Sequence, residues 1–169
     1  LPYLKPILKG SNDLMKSSPM SNKTDNIAKL FLEAAKLHPE NIAIVEGDKK
    51  VNYKDLASSV QNTAAYFKKK GIQKGDRVLV FVPMGIDLYR IVLALFYLGA
   101  TAVFLDEWVS KKRLELCCDI AECKGFIGVR KARIFSLFSK SLRAIPVKLN
   151  LRKTISFKPK ICEVEADHP

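Results

Sequence analysis

The sequence predicts an α/β fold, a mainly parallel sheet with crossover helices on both faces. Three observations carry that prediction. Short, largely apolar runs recur at Arg77–Val82, Thr101–Leu105 and Gly125–Val129, as expected of strands buried on both sides. Helix-length segments with apolar residues three and four apart lie between them. Strands and helices alternate instead of clustering, which is the pattern of βαβ crossovers.

Taken in order, Thr24 or Asp25 can cap a first helix with Ile27, Leu30, Phe31, Ala34 and Leu37 on its inward face, stopped by Pro39. Ile42–Glu46 reads as a strand, and Gly47-Asp48 as the turn of a hairpin returning through Val51. Asn52 with Asp55 resembles a capping box that opens a second helix. Tyr53, Leu56, Val60, Ala64 and Phe67 form the apolar face of that helix. Lys68, Lys69 and Lys70 suit the negative end of its dipole, and Gly71 supplies a left-handed stop. Gly75-Asp76 turns the chain into the first buried strand, which Pro83 ends. Ile86–Leu98 is a largely apolar helix ended by Gly99, and Thr101–Leu105 is the second buried strand. Ser110 caps a helix with Leu114, Cys117, Cys118 and Ala121 inward. Gly125–Val129 is the third strand, Lys131–Leu142 a further crossover helix, and Pro146–Leu149 a fourth strand.

The 169 residues suffice for one core, and a 48% hydrophobic content excludes wholesale disorder. The net charge of +12 is concentrated. Between Lys111 and Lys160 there are 14 basic and 3 acidic residues, a surplus of 11, which leaves +1 for the rest of the chain. Such a stretch suits nucleic acid, an anionic membrane or a phosphorylated ligand. A solvated face whose acidic counterpart lies elsewhere is the simpler explanation. Cys117, Cys118, Cys123 and Cys162 form no C-x-x-C pair, and neither His38 nor His168 has ligand spacing, so no metal site is expected. The thiols are expected to be reduced, in a cytoplasmic protein. Leu1–Pro19 has no secretory h-region and reads as a disordered or non-native leader. The longest apolar run, Ile91–Leu105, has 15 residues, short of the roughly 20 that span a bilayer.

Open α/β sheets bind ligands beyond the carboxyl ends of their strands. After the first strand, Val82-Pro83-Met84-Gly85 offers no phosphate cradle. After the second, Asp106 and Glu107 could hold Mg²⁺, although helix-capping loop acids are commoner there and no base or nucleophile accompanies them. After the third, Arg130, Lys131 and Arg133 stand near a predicted helix N-terminus and form a candidate phosphate site. A charged solvent edge is the simpler explanation of them. No G-x-x-x-x-G-K-[ST], G-x-G-x-x-G or G-x-S-x-G motif occurs. No catalytic residue can be named from these residues.

The order of landmarks adds a resemblance. Pro39-Glu40-Asn41-Ile42-Ala43-Ile44, Val51-Asn52-Tyr53-Lys54-Asp55-Leu56 and Gly71-Ile72-Gln73-Lys74-Gly75-Asp76-Arg77-Val78 resemble the opening of the adenylate-forming superfamily. Val82-Pro83-Met84 and Leu98-Gly99-Ala100-Thr101-Ala102-Val103-Phe104-Leu105-Asp106 continue the match, which runs roughly from Asp25 to Leu149. Lys111–Leu114 and Gly125–Ala132 resemble a bacterial branch of fatty-acid synthetase-like proteins and olefin β-lactone synthetases.

The resemblance implies an enzyme that activates a fatty or other carboxylic acid with ATP and Mg²⁺ and releases pyrophosphate. The acyl group then passes to coenzyme A or closes into a β-lactone. It also implies that residues 20–169 are a partial N-terminal domain, ending before the Gly/Ser/Thr-rich phosphate loop and lacking the C-terminal lid. On that expectation the chain alone is inactive, and the missing C-terminal portion is its natural partner. The alternative is a non-catalytic α/β module whose basic C-terminal half binds an anionic partner.

Overall fold

A computed structural model describes residues 26–104, 110–129 and 139–152. The predicted leader, Thr24 and Asp25 therefore lie outside the described residues. Helix α1 spans Ile27–Leu37, and Asn26 is its cap: the Asn26 side-chain oxygen accepts from the Ala28 N–H at 2.9 Å. The Asn26 amide nitrogen donates to the Phe96 carbonyl at 2.6 Å, tying α1 to the end of a later helix. The predicted inward face of α1 needs correction. Ala28 and Ala35 are buried, Phe31 is half-buried, and Ile27, Leu30 and Leu37 are exposed. Both stripes have helical spacing, and the face carrying alanines at its two ends lets α1 approach its neighbours closely.

Strands β1 (Ile42–Glu46) and β2 (Lys49–Asn52) form an antiparallel hairpin, a two-stranded sheet of its own. Gly47, with φ 56°, provides the left-handed turn residue. Helix α2 (Tyr53–Lys69) starts where the sequence places it, with the Asn52 side chain accepting from the Asp55 N–H at 2.7 Å. Leu56, Val60, Ala64 and Phe67 are buried as expected. Tyr53 stacks on Phe31 across the gap to α1, with ring centroids 6.0 Å apart.

The main sheet contains β3 (Arg77–Phe81), β4 (Thr101–Phe104), β5 (Gly125–Gly128) and β6 (Val147–Asn150) in the order β4-β3-β5-β6, all parallel. Helix α3 (Ile86–Tyr97) joins β3 to β4, and α4 (Lys111–Ala121) precedes β5. The chain steps from β3 outward to β4, then back past β3 to β5 and onward to β6. Right-handed crossovers therefore put α3 and α4 on opposite faces. Side-chain alternation shows the same division. Val78, Val80, Ile127 and Leu149 pack with α2 and α3, whereas Leu79 and Phe126 pack with Leu114, Cys118 and Leu142. The α/β class, with a parallel sheet and helices on both faces, is thus as predicted.

Three predicted details differ. Strand β4 is not buried on both faces: it ends the strand order among the described residues, with Thr101 and Phe104 exposed. A helix running through Leu142 is interrupted at Ser139, which is extended (φ −111°, ψ 123°) and caps a short helix α5, Lys140–Ala144. In α4, Leu114 and Cys118 are buried, but Cys117 and Ala121 are only half-buried. Among the described residues no helix is long and apolar enough to cross a membrane.

Candidate functional site

The chain passes from β3 to β4 on one side and from β5 to β6 on the other, so the topological switch point lies between the carboxyl ends of β3 and β5, at Phe81 and Gly128. The Val129 N–H donates to the Phe81 carbonyl at 3.2 Å and holds the two strand ends together. Beside the switch point the described residues are Val82, Pro83, Met84, Gly85 and Val129, without a cationic or hydroxyl side chain. At the carboxyl end of the neighbouring β6, Arg152 adds a cation and the Tyr66 hydroxyl accepts from the Asn150 N–H at 3.2 Å. Asp106 and Glu107, the Mg²⁺ candidates, follow β4 outside the described residues. Arg130, Lys131 and Arg133, the phosphate candidates, follow β5 outside them as well.

One described helix start at this edge has the form of an anion site, but the protein itself fills it. Gly85 is the N-cap of α3 and has no side chain with which to cap it. Glu46, at the end of β1, supplies the missing acceptor: its Oε2 accepts from the Ile86 N–H at 2.8 Å. A carboxylate there satisfies an otherwise unpaired amide and complements the positive end of the helix dipole. A Cβ on Gly85 would lie 2.8 Å from the Glu46 carboxylate atoms, so the close approach needs glycine. The N-terminus of α4 is capped as well, with Ser110 Oγ accepting from the Arg113 N–H at 3.4 Å. The described residues therefore do not fit a triphosphate: both long-helix starts beside the strand ends are occupied from within, and no Ser/Thr-rich cradle adjoins them.

Beside the Glu46 cap an open groove of about 600 Å³ runs between α1, the hairpin and α3. Phe31, Ile44, Tyr53, Leu56 and Leu93 line it, with Met84 beside the cap. Its wall is mainly apolar, with Glu46 and the tyrosines Tyr53 and Tyr89 as its polar members, and it holds no acid–base pair.

Behind the start of α3 lies a polar clamp that sequence reading did not single out. Arg90 is buried, and its Nη1 donates to Thr63 Oγ1 of α2 at 2.6 Å. Its Nη2 donates to Asp87 Oδ1 at 2.8 Å, and Thr63 in turn donates to the Ser59 carbonyl at 2.7 Å. The available signal was an Asp-x-x-Arg pair inside an otherwise apolar helix, a spacing that puts both groups on one face. At the opposite, amino end of the sheet, Asp76 accepts from the Gln73 N–H at 2.6 Å and from Lys124 Nζ at 2.9 Å. Burial acts to raise the Asp76 carboxyl's affinity for a proton. The hydrogen bonds from Lys124 and Gln73, with the lysine charge, outweigh it and hold the pKa below the usual aspartate value. This pair fixes the turn into β3 and stands away from the ligand edge.

The fold is an open, parallel α/β sheet with its switch point between β3 and β5. Residues 31–164 match the AMP-binding enzyme family, and the chain belongs to it. Similar proteins include pyochelin synthase PchD of Pseudomonas aeruginosa, 30% identical over 63% of this chain and 19% of that protein. The 2,3-dihydroxybenzoate-AMP ligase of Bacillus subtilis is 33% identical over 58% of this chain and 18% of its own length. The olefin beta-lactone synthetase of Stenotrophomonas maltophilia is 30% identical over 69% of the chain and 23% of its length. The chain thus spans about a fifth of the length of these relatives. Because the identities are alike, the β-lactone branch is not singled out.

Among solved structures, the O-succinylbenzoate coenzyme A synthetase of Bacillus subtilis in complex with AMP gives a TM-score of 0.69 at 20% identity. The match covers 80% of this chain and 34% of that one. The N-terminal subdomain of NpsA from Klebsiella oxytoca gives 0.65 at 21% identity, covering 78% and 31%. These likenesses establish the fold.

Proposed function

We propose that residues 20–169 form part of the N-terminal scaffold of an ATP-dependent, AMP-forming enzyme that activates a carboxylic acid. The family match over residues 31–164 carries this reading. In the reaction, a carboxylate oxygen attacks the α-phosphorus of ATP with Mg²⁺ present, and pyrophosphate leaves. The described residues contribute architecture to that chemistry. The clamp from Arg90 to Thr63 and the Glu46 cap fix α3 against α2 and the hairpin, and so fix the strand-end edge from which the site is built.

The coarse class of substrate is a carboxylic acid. The finer reading is an aryl or fatty acid, supported by relatives that include a 2,3-dihydroxybenzoate-AMP ligase and an olefin beta-lactone synthetase. Transfer to coenzyme A or closure to a β-lactone is the corresponding second step. A triphosphate must be held by several amides and cations at once, and the described residues provide no such set. On this proposal the 169 residues by themselves do not catalyse adenylation. Acid-dependent exchange of labelled pyrophosphate into ATP is the test, run with panels of fatty and aryl acids. Exchange by a full-length enzyme carrying this stretch, and none by the 169-residue chain, is the expected result. Turnover by the short chain would refute the scaffold reading.

A further inference from the structure

Cys118 and Cys123 flank the left-handed stop of α4 and share one buried cluster. Glu122 has φ 43° and ψ 49°, turning the chain back at the end of α4, and its N–H donates to the Cys118 carbonyl at 3.1 Å. Cys118 lies in the last turn of α4, and Cys123 follows the left-handed residue directly. Both are buried, in one cluster with Leu79, Leu114 and Phe126. Each is a free thiol.

We propose that Cys118 and Cys123 are a modification site, an internal disulfide formed by exchange with a low-molecular-weight disulfide such as oxidised glutathione. One protein thiolate attacks a glutathione sulfur, the glutathione S–S bond breaks, and the first glutathione leaves and takes up a proton. The second protein thiolate then attacks the protein sulfur of the mixed disulfide, the new S–S bond forms, and the second glutathione leaves. Two protein thiols are oxidised and one disulfide is reduced to two thiols, so atoms, protons and electrons balance.

The surroundings set the rate of this exchange. Burial, with a smaller contribution from negative charge on Cys123, pushes the Cys118 thiol up to about 11. The reactive thiolate is then scarce at neutral pH and the sulfurs are covered, so exchange requires opening of the last turn of α4. Lys148, whose ammonium lies 5.8 Å from the centre of the Phe126 ring, acts in the opposite sense and favours the Cys118 thiolate. The pair is thereby protected from casual oxidation, while both sulfurs stay within one buried cluster.

The test is equilibrium exchange of the chain carrying Cys117→Ser and Cys162→Ser with a glutathione redox buffer, in native buffer and in concentrated urea. The expected product has lost two hydrogens in the tryptic peptide Leu114–Lys124. Its equilibrium constant should be at least about tenfold larger in native buffer, because the fold raises the effective concentration of one sulfur at the other. An equal or smaller constant in native buffer overturns the proposal, since chain proximity alone would then join the sulfurs. The same measurement on the unsubstituted chain, with the bonded pair assigned by fragmenting the peptide, decides the matter should the double variant fold poorly.

Discussion

Replacing Gly85 by alanine tests the helix cap that closes the start of α3. The added Cβ would lie 2.8 Å from the Glu46 carboxylate, well inside contact distance. The carboxylate is the end of a flexible side chain, so it should swing away and leave the backbone undistorted. What is lost is the bond to the Ile86 N–H and the charge at the helix N-terminus. Side-chain caps contribute about 0.5–2 kcal/mol, and a charge at a helix end adds about 0.3–1 kcal/mol. Glu46 is exposed, which favours the lower half of both ranges. We expect Gly85→Ala to cost about 1–2 kcal/mol, and Glu46→Ala about the same. In a domain of this size that lowers Tm by roughly 2–4 °C per kcal/mol.

The decisive measurement is the double variant. Once Glu46 is gone the Cβ has room, so Gly85→Ala in the Glu46→Ala background should add only a few tenths of a kcal/mol. Urea unfolding of the four proteins gives the coupling energy directly. Additive losses would refute the reasoning, because they would mean that the glycine and the carboxylate act independently.

Three further outcomes follow from the same geometry. Thr63→Val removes one acceptor of the buried Arg90 and should destabilise by about 1–3 kcal/mol, measured by urea unfolding; a neutral substitution would show that the clamp does not matter. Gly125→Ala places a Cβ 2.9 Å from Ile72 Cδ1 and 3.1 Å from Val78 Cγ2. Crowding of the buried strand β5 should cost about 1–3 kcal/mol, visible in thermal melting. Asp76 has a folded pKa lowered by Lys124 and Gln73. Its contribution is present above the unfolded value of about 3.9 and is lost as pH falls through the lower folded value. Asp76→Asn should accordingly flatten the decline in urea midpoint between about pH 5 and pH 2, and an unchanged slope would count against the pairing.

The sequence by itself determined the layer plan. Unbroken apolar runs such as Val78-Leu79-Val80 require cover on both sides, and the helices between them can provide it only as crossovers. Local chemistry likewise set the starts of α2 and α4, because Asn52 and Ser110 each act on an amide within three residues. The order of landmarks from Pro39 to Asp106 carried the family resemblance, which the match over residues 31–164 bears out.

Tertiary structure decided what distant residues share. Two helical stripes on α1 had equal periodicity, and only packing chose the one with Ala28 and Ala35. Strand β4 carries the same apolar signal as β3, yet it lies at the end of the described strand order, a position that hydrophobicity alone does not encode. The Glu46 carboxylate reaches α3 from 40 residues away, and Arg90 finds Thr63 across 27. Neither pairing leaves a local pattern, since the attraction exists only once the hairpin, α2 and α3 have packed. For that reason the strand-end edge was legible in the sequence, whereas the carboxylate that fills its helix start was not.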